Sequence, residues 1–77
     1  MQERYLDLGV GVVSLEGVLT THAEERRYHW WQPYYSCIVV NYVGDDDNEY
    51  EFLFPSSQSR NAAHEKLRDA LRQYNSR

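Results

Sequence analysis

The ten residues Arg26-Arg27-Tyr28-His29-Trp30-Trp31-Gln32-Pro33-Tyr34-Tyr35 hold both tryptophans and three of the seven tyrosines, directly behind two arginines. The chemistry of such a segment is recognition. Trp, Tyr and Arg join a large apolar area to a polar handle at small entropic cost, which is why they dominate binding hot spots. Arg26, Arg27, Tyr28, Trp30, Trp31 and Tyr34 are therefore the expected binding residues. They suit two kinds of ligand. A protein partner would be gripped by the aromatic faces. A nucleotide or single-stranded nucleic acid would stack its bases there, with Arg26 and Arg27 on the phosphates, each stacked base being worth about 1–3 kcal/mol. The competing structural expectation is that alternate members build the core, because adjacent Trp30 and Trp31 in a strand would face opposite ways, one inward and one outward.

The remaining reactive side chains assemble into nothing catalytic. Cys37 falls mid-strand between Ser36 and Ile38, where a cysteine is usually a small buried hydrophobe. His22, His29 and His64 have no short ligand spacing, and the chain lacks a glycine-rich phosphate loop, a serine elbow and a paired-carboxylate motif. Asp45, Asp46, Asp47 and Glu49 invite a calcium reading that the pattern refuses. Tyr50 stands where the sixth-position glycine belongs and Ser56 where the twelfth-position glutamate belongs. A solvated hairpin tip explains these acids better. His64, Arg68 and Arg72, at i, i+4 and i+8, form a basic stripe on a helix, and Glu65 and Asp69 offer it ordinary intrahelical pairs. The sequence thus predicts a non-enzyme with no metal and no cofactor.

The elements that must position these residues follow from periodicity. Leu6, Leu8, Val10 and Val12 alternate with Asp7, Gly9 and Gly11, predicting a first strand whose glycines mark a bulge or a close backbone approach. Ser14 to Gly17 reads as a turn, and Val18 to Thr21 starts a second strand. His22 to Trp31 is expected to be a loop or an irregular edge, ended by Gln32-Pro33. Tyr34 to Val43 is apolar on both faces and predicts a central strand. Gly44 to Asn48 turns the chain, and Glu49 to Phe54 returns with Tyr50, Phe52 and Phe54 on the core side. Pro55-Ser56-Ser57-Gln58-Ser59 starts a helix with three possible N-caps. Ala63, Leu67, Ala70, Leu71 and Tyr74 then form one apolar stripe. The fold class is α+β: an antiparallel sheet of three to four strands with one C-terminal amphipathic helix packed on one face, a single small domain over residues 1–77. The passage from the Phe54 strand through serines to a closing helix resembles in pattern the end of a pleckstrin-homology-type domain, and no family follows from it.

Composition bounds the function classes. A 77-residue chain buries only about 60% of the surface its unfolded form exposes, so its stability margin is thin. One cysteine excludes an internal disulfide, which leaves self-association as a homodimer as the remaining stabilising device. Net charge −4 opposes general affinity for nucleic acid. Residues 1–56 carry ten acidic and three basic side chains and residues 57–77 two acidic and five basic, a lopsided distribution able to steer a partner. No apolar run approaches a membrane span, and Met1-Gln2-Glu3-Arg4 does not open like a signal peptide, so a cytoplasmic protein is expected. The reading is a small protein-interaction module, adaptor-like or inhibitor-like, working through its aromatic and arginine surface on a protein partner or a second copy. Nucleotide or single-stranded nucleic acid binding is the alternative.

Overall fold

The computed structural model describes residues 4–44 and 49–76. Strands β1 (Tyr5–Asp7) and β2 (Val12–Ser14) form a short antiparallel hairpin. Strands β3 (Val18–Arg26), β4 (Tyr35–Tyr42) and β5 (Tyr50–Phe54) make an antiparallel sheet in the order β3-β4-β5, and helix α1 (Ser57–Asn75) lies on one of its faces. The α+β class and the helix-on-sheet arrangement agree with the sequence reading, including the β4–β5 hairpin and the central position of β4.

Two expectations need correction. The single strand predicted across Leu6 to Val12 is a hairpin. The Leu8 amide donates to the Gly11 carbonyl at 2.8 Å, the Gly9 amide donates to Asp7 Oδ1 at 2.8 Å, and Gly9 takes the left-handed φ of 90° that the tight turn requires. The second strand starts at Val18 as expected, and the part expected to be a loop or irregular edge is regular edge strand as far as Arg26. It extends this far because the charged residues from His22 onward find partners on both sides of the sheet. Glu24 pairs with Arg26 on one face, while on the other Glu25 accepts from Ser36 Oγ and from Arg60, each at 3.1 Å.

Cross-strand pairs share a face, so the register sorts the side chains. Ser36, Ile38, Val40, Phe52 and Phe54 look toward the helix; Cys37, Val39, Glu51 and Leu53 look away. The core joins Leu8, Val13 and Leu15 of the hairpin region to Ile38, Val40 and Phe54 of the sheet and to Ala63 and Leu67 of the helix. Ala70, Leu71 and Tyr74 pack against it as the predicted stripe continues. Fully burying one Leu or Ile side chain stabilises by about 1.5–3 kcal/mol, which makes the wholly buried Ile38 and Leu67 the strongest anchors. Ser56 is the N-cap: its Oγ accepts from the Ser59 amide at 3.1 Å, satisfying an orphan donor of the first turn. The hairpin is fastened to the sheet by Tyr42 Oη, which donates to the Ser14 carbonyl at 2.8 Å. At Gly11 a Cβ would come within 3.1 Å of the Phe52 ring. This is the close approach that glycine permits.

Candidate functional site

Residues 27–34 connect β3 to β4 and lie outside both strands. Strand alternation therefore does not apply to them, and neither tryptophan enters the core. Trp30 is 81% exposed and Trp31 65%, with Tyr28 and Tyr34 also exposed. The expectation that one of the two would face inward is corrected by their placement in a loop.

The loop is internally organised despite its exposure. His29 stacks on Trp31 with ring centroids 5.3 Å apart and planes within 6° of parallel. The guanidinium of Arg27 sits 4.5 Å above the centre of the Tyr34 ring and donates to the Trp30 carbonyl at 2.6 Å. The Gln32 amide donates to the His29 carbonyl at 2.9 Å, and Tyr28 packs on Tyr35 at 5.3 Å. Contacts of this kind hold aromatic surface in place before a ligand arrives, which lowers the ordering cost of binding. These contacts join Arg27 to Trp30 and Tyr34, His29 to Trp31, and Tyr28 to Tyr35.

Arg26 has a different place. It ends β3 on the sheet face turned away from the helix, and its guanidinium extends over β4 to carboxylates beside and on β5. It donates to Glu24 at 2.6 Å, to Glu51 at 2.8 Å and to Glu49 at 3.2 Å. Beneath this strap Cys37 is 0% exposed, although α1 lies on the other face of the sheet. Burial foremost, and then the Glu51 charge, push the Cys37 thiol above its ordinary range, so it is protonated and inert at neutral pH. Tyr35, whose hydroxyl donates to Glu51 at 3.1 Å, has its ionisation raised by hydrogen bonding to Tyr28 first and by burial and Glu51 after it. A carboxylate cluster bridged by one arginine was not foreseen. Its signal in the sequence is the match between Glu24/Arg26 and Glu49/Glu51, alternating pairs on strands that flank the same neighbour.

The predicted basic stripe of the helix is divided. Arg72 pairs with Asp69 at 2.7 Å, the ordinary intrahelical contact. His64 turns toward the sheet, its Nε2 lying 3.2 Å from Thr21 Oγ1. Burial, then the nearby Arg68 and Arg60, lower its pKa below the usual imidazole value and keep it neutral at pH 7. Lys66 reaches the Asp7 carbonyl at 3.3 Å. Asp45, Asp46 and Asp47 lie outside the described residues. Among the described residues no cluster of three or more His, Cys, Asp or Glu side chains has the arrangement of a metal site, and no helix is long and apolar enough to cross a membrane.

At the other end of the sheet, a concave groove of about 680 Å³ opens between the hairpin and the ends of β4 and β5. Tyr5, Val12, Tyr42, Val43, Tyr50 and Phe52 give it apolar walls, and Glu16 stands at its rim. Periodicity could not reveal it, because the predicted single strand hid the hairpin that forms one wall. Compared with protein-family models, curated proteins and solved structures, the chain matches none.

Proposed function

We propose that the protein is a small interaction module that binds another macromolecule, a protein, through the aromatic loop 27–34. The observation that carries this reading is the exposure of Trp30 and Trp31 within a loop whose own contacts already fix its shape. Two tryptophans held in water cost solubility and return no core stability, and exposed apolar clusters of this kind mark contact surfaces. Tyr28 and Tyr34 widen the patch, and Arg27 supplies its polar handle.

The arginine chemistry favours a protein over a nucleic acid as the partner. Stacking nucleobases would require Arg26 and Arg27 on the phosphates. Arg26 is engaged by three carboxylates, and Arg27 is spent on Tyr34 and the Trp30 carbonyl. Glu24, Glu49 and Glu51 beside the loop would repel a phosphate backbone. An adaptor or inhibitor acting by occupancy needs only the surface described, with no reacting group.

Comparative capture tests this function. The wild-type protein and a Trp30→Ala/Trp31→Ala variant, both immobilised, are exposed to the same cell extract and the retained proteins are quantified. The reading expects a defined protein to be retained by the wild type and lost from the variant. The same proteins on both, or RNA as the retained species, would overturn it.

A further inference from the structure

The outer edge of β5 and the groove beside it form a second surface, the groove lying at the opposite end of the sheet from the aromatic loop while Glu49 and Glu51 reach Arg26 at the loop's base. Among the described residues no strand pairs with that side of β5, which is the last strand of the sheet. An edge of this kind presents backbone donors and acceptors to any extended chain. Its side chains divide between the two faces, the open one carrying Glu51 and the exposed Leu53. Tyr50 and Phe52 point to the groove face with Val12 and Tyr5 opposite them across the groove, while Glu51 points to the open face, where Glu49 also gathers around Arg26.

We propose that the β5 edge and its groove receive an extended peptide in which apolar and basic residues alternate. A strand added to β5 sends every second side chain into the groove and the others to the opposite face. Groove-side residues meet the aromatic rings and Val12, and those on the other face meet Glu49 and Glu51, which share the single charge of Arg26. Glu16 at the rim adds to the negative field. Basic side chains are what this charge pattern complements. The five residues of β5 set the length of the recognised segment, and about 680 Å³ is ample for its apolar side chains. A second copy is the poorer occupant. Its own β5 edge would bring a second set of Glu49 and Glu51 carboxylates toward the first, and like charges brought together across strands destabilise.

The test uses fluorescence anisotropy with a labelled, end-blocked hexapeptide repeating Val-Lys, set beside one repeating Val-Glu. Amide shifts of the protein are followed in the same titration. Saturable binding of the Val-Lys peptide is expected, roughly tenfold or more tighter than the Val-Glu peptide, with shifts concentrated on Glu51 to Phe54 and Val12. Val12→Lys, at an exposed position on the groove wall, should weaken it by about tenfold or more with an unchanged melt, and Trp30→Ala should leave it unaltered. Absence of saturation at millimolar peptide, equal binding of Val-Glu, or loss of binding in Trp30→Ala would overturn the proposal. So would a wild-type dimer that Val12→Lys dissociates, which would assign the groove to a second copy. Trp30 and Trp31 line neither the groove nor β5, so failure of this site leaves the function proposed for the loop standing, and the reverse is also true.

Discussion

Replacing Arg26 by methionine removes the charge that spans β4 while keeping much of the stem that covers it. Glu24, Glu49 and Glu51 are then left together on one face with no cation among them. The pairs are partly solvated, the Arg26 side chain being 30% exposed and Glu49 50%, so each contact is worth a surface value of about 0.2–1 kcal/mol, not a buried one. Three such contacts, with the repulsion among the stranded carboxylates added, come to about 2 kcal/mol. In a domain of this size that lowers the melting temperature by roughly 8–16 °C. The same loss should appear at Cys37, which is sealed beneath the strap and reacts only when the face opens. An opening equilibrium easier by about 2 kcal/mol speeds modification by a thiol reagent roughly 30-fold. Thermal melts and thiol-labelling rates on the same samples measure both. Lysine at the same position should not restore the wild type, because a point charge cannot serve three carboxylates at once as a guanidinium fork does. A methionine variant that melts within about 1 °C of wild type and labels at the wild-type rate would refute the strap.

Three further outcomes follow from the packing and the titrating groups. Because the folded state lowers the pKa of His64 below its unfolded value of 6.5, the unfolded chain binds more protons between those two values. Stability should therefore rise with pH through that window and be lost on acidification, and urea titrations of His64→Gln should show a flatter profile there. Leu67→Ala, at a wholly buried site, should cost about 2–5 kcal/mol by urea denaturation, enough to threaten folding in a domain this small. Ser56→Ala, which leaves the Ser59 amide without its acceptor, should cost about 1 kcal/mol, read as a lower melting temperature.

Much of the fold was legible where a local signal and the tertiary outcome coincide. The β4–β5 hairpin, the serine cap and the helix stripe are of this kind, since apolar period and capping chemistry act within a few residues. Leu6, Leu8, Val10 and Val12 keep a strand period through what is in fact a turn, so periodicity alone hides the hairpin. The decisive information was the turn chemistry of Asp7 and Gly9. The extension of β3 through Glu24 and Arg26 depends on partners far along the chain, Glu49, Glu51 and Arg60, which strand propensity does not contain. For the aromatic segment the residue types gave the surface and the proline gave the break. Whether the tryptophans face inward depends on where β3 ends, and that is set by the same distant ion pairs. The groove depended on the hairpin and was hidden with it.

Whether Trp30 and Trp31 stand free for a contact or pack in the core is measured most directly by the stability and sedimentation of Trp30→Ala and Trp31→Ala beside the wild type. Removing side chains that lie in water should leave each variant folded and within about 0.5 kcal/mol of the wild type. Any association the wild type makes through the aromatic loop should be lost. A loss of about 2 kcal/mol or more in the monomer of either variant would place that ring in the structure's own packing and contradict the account.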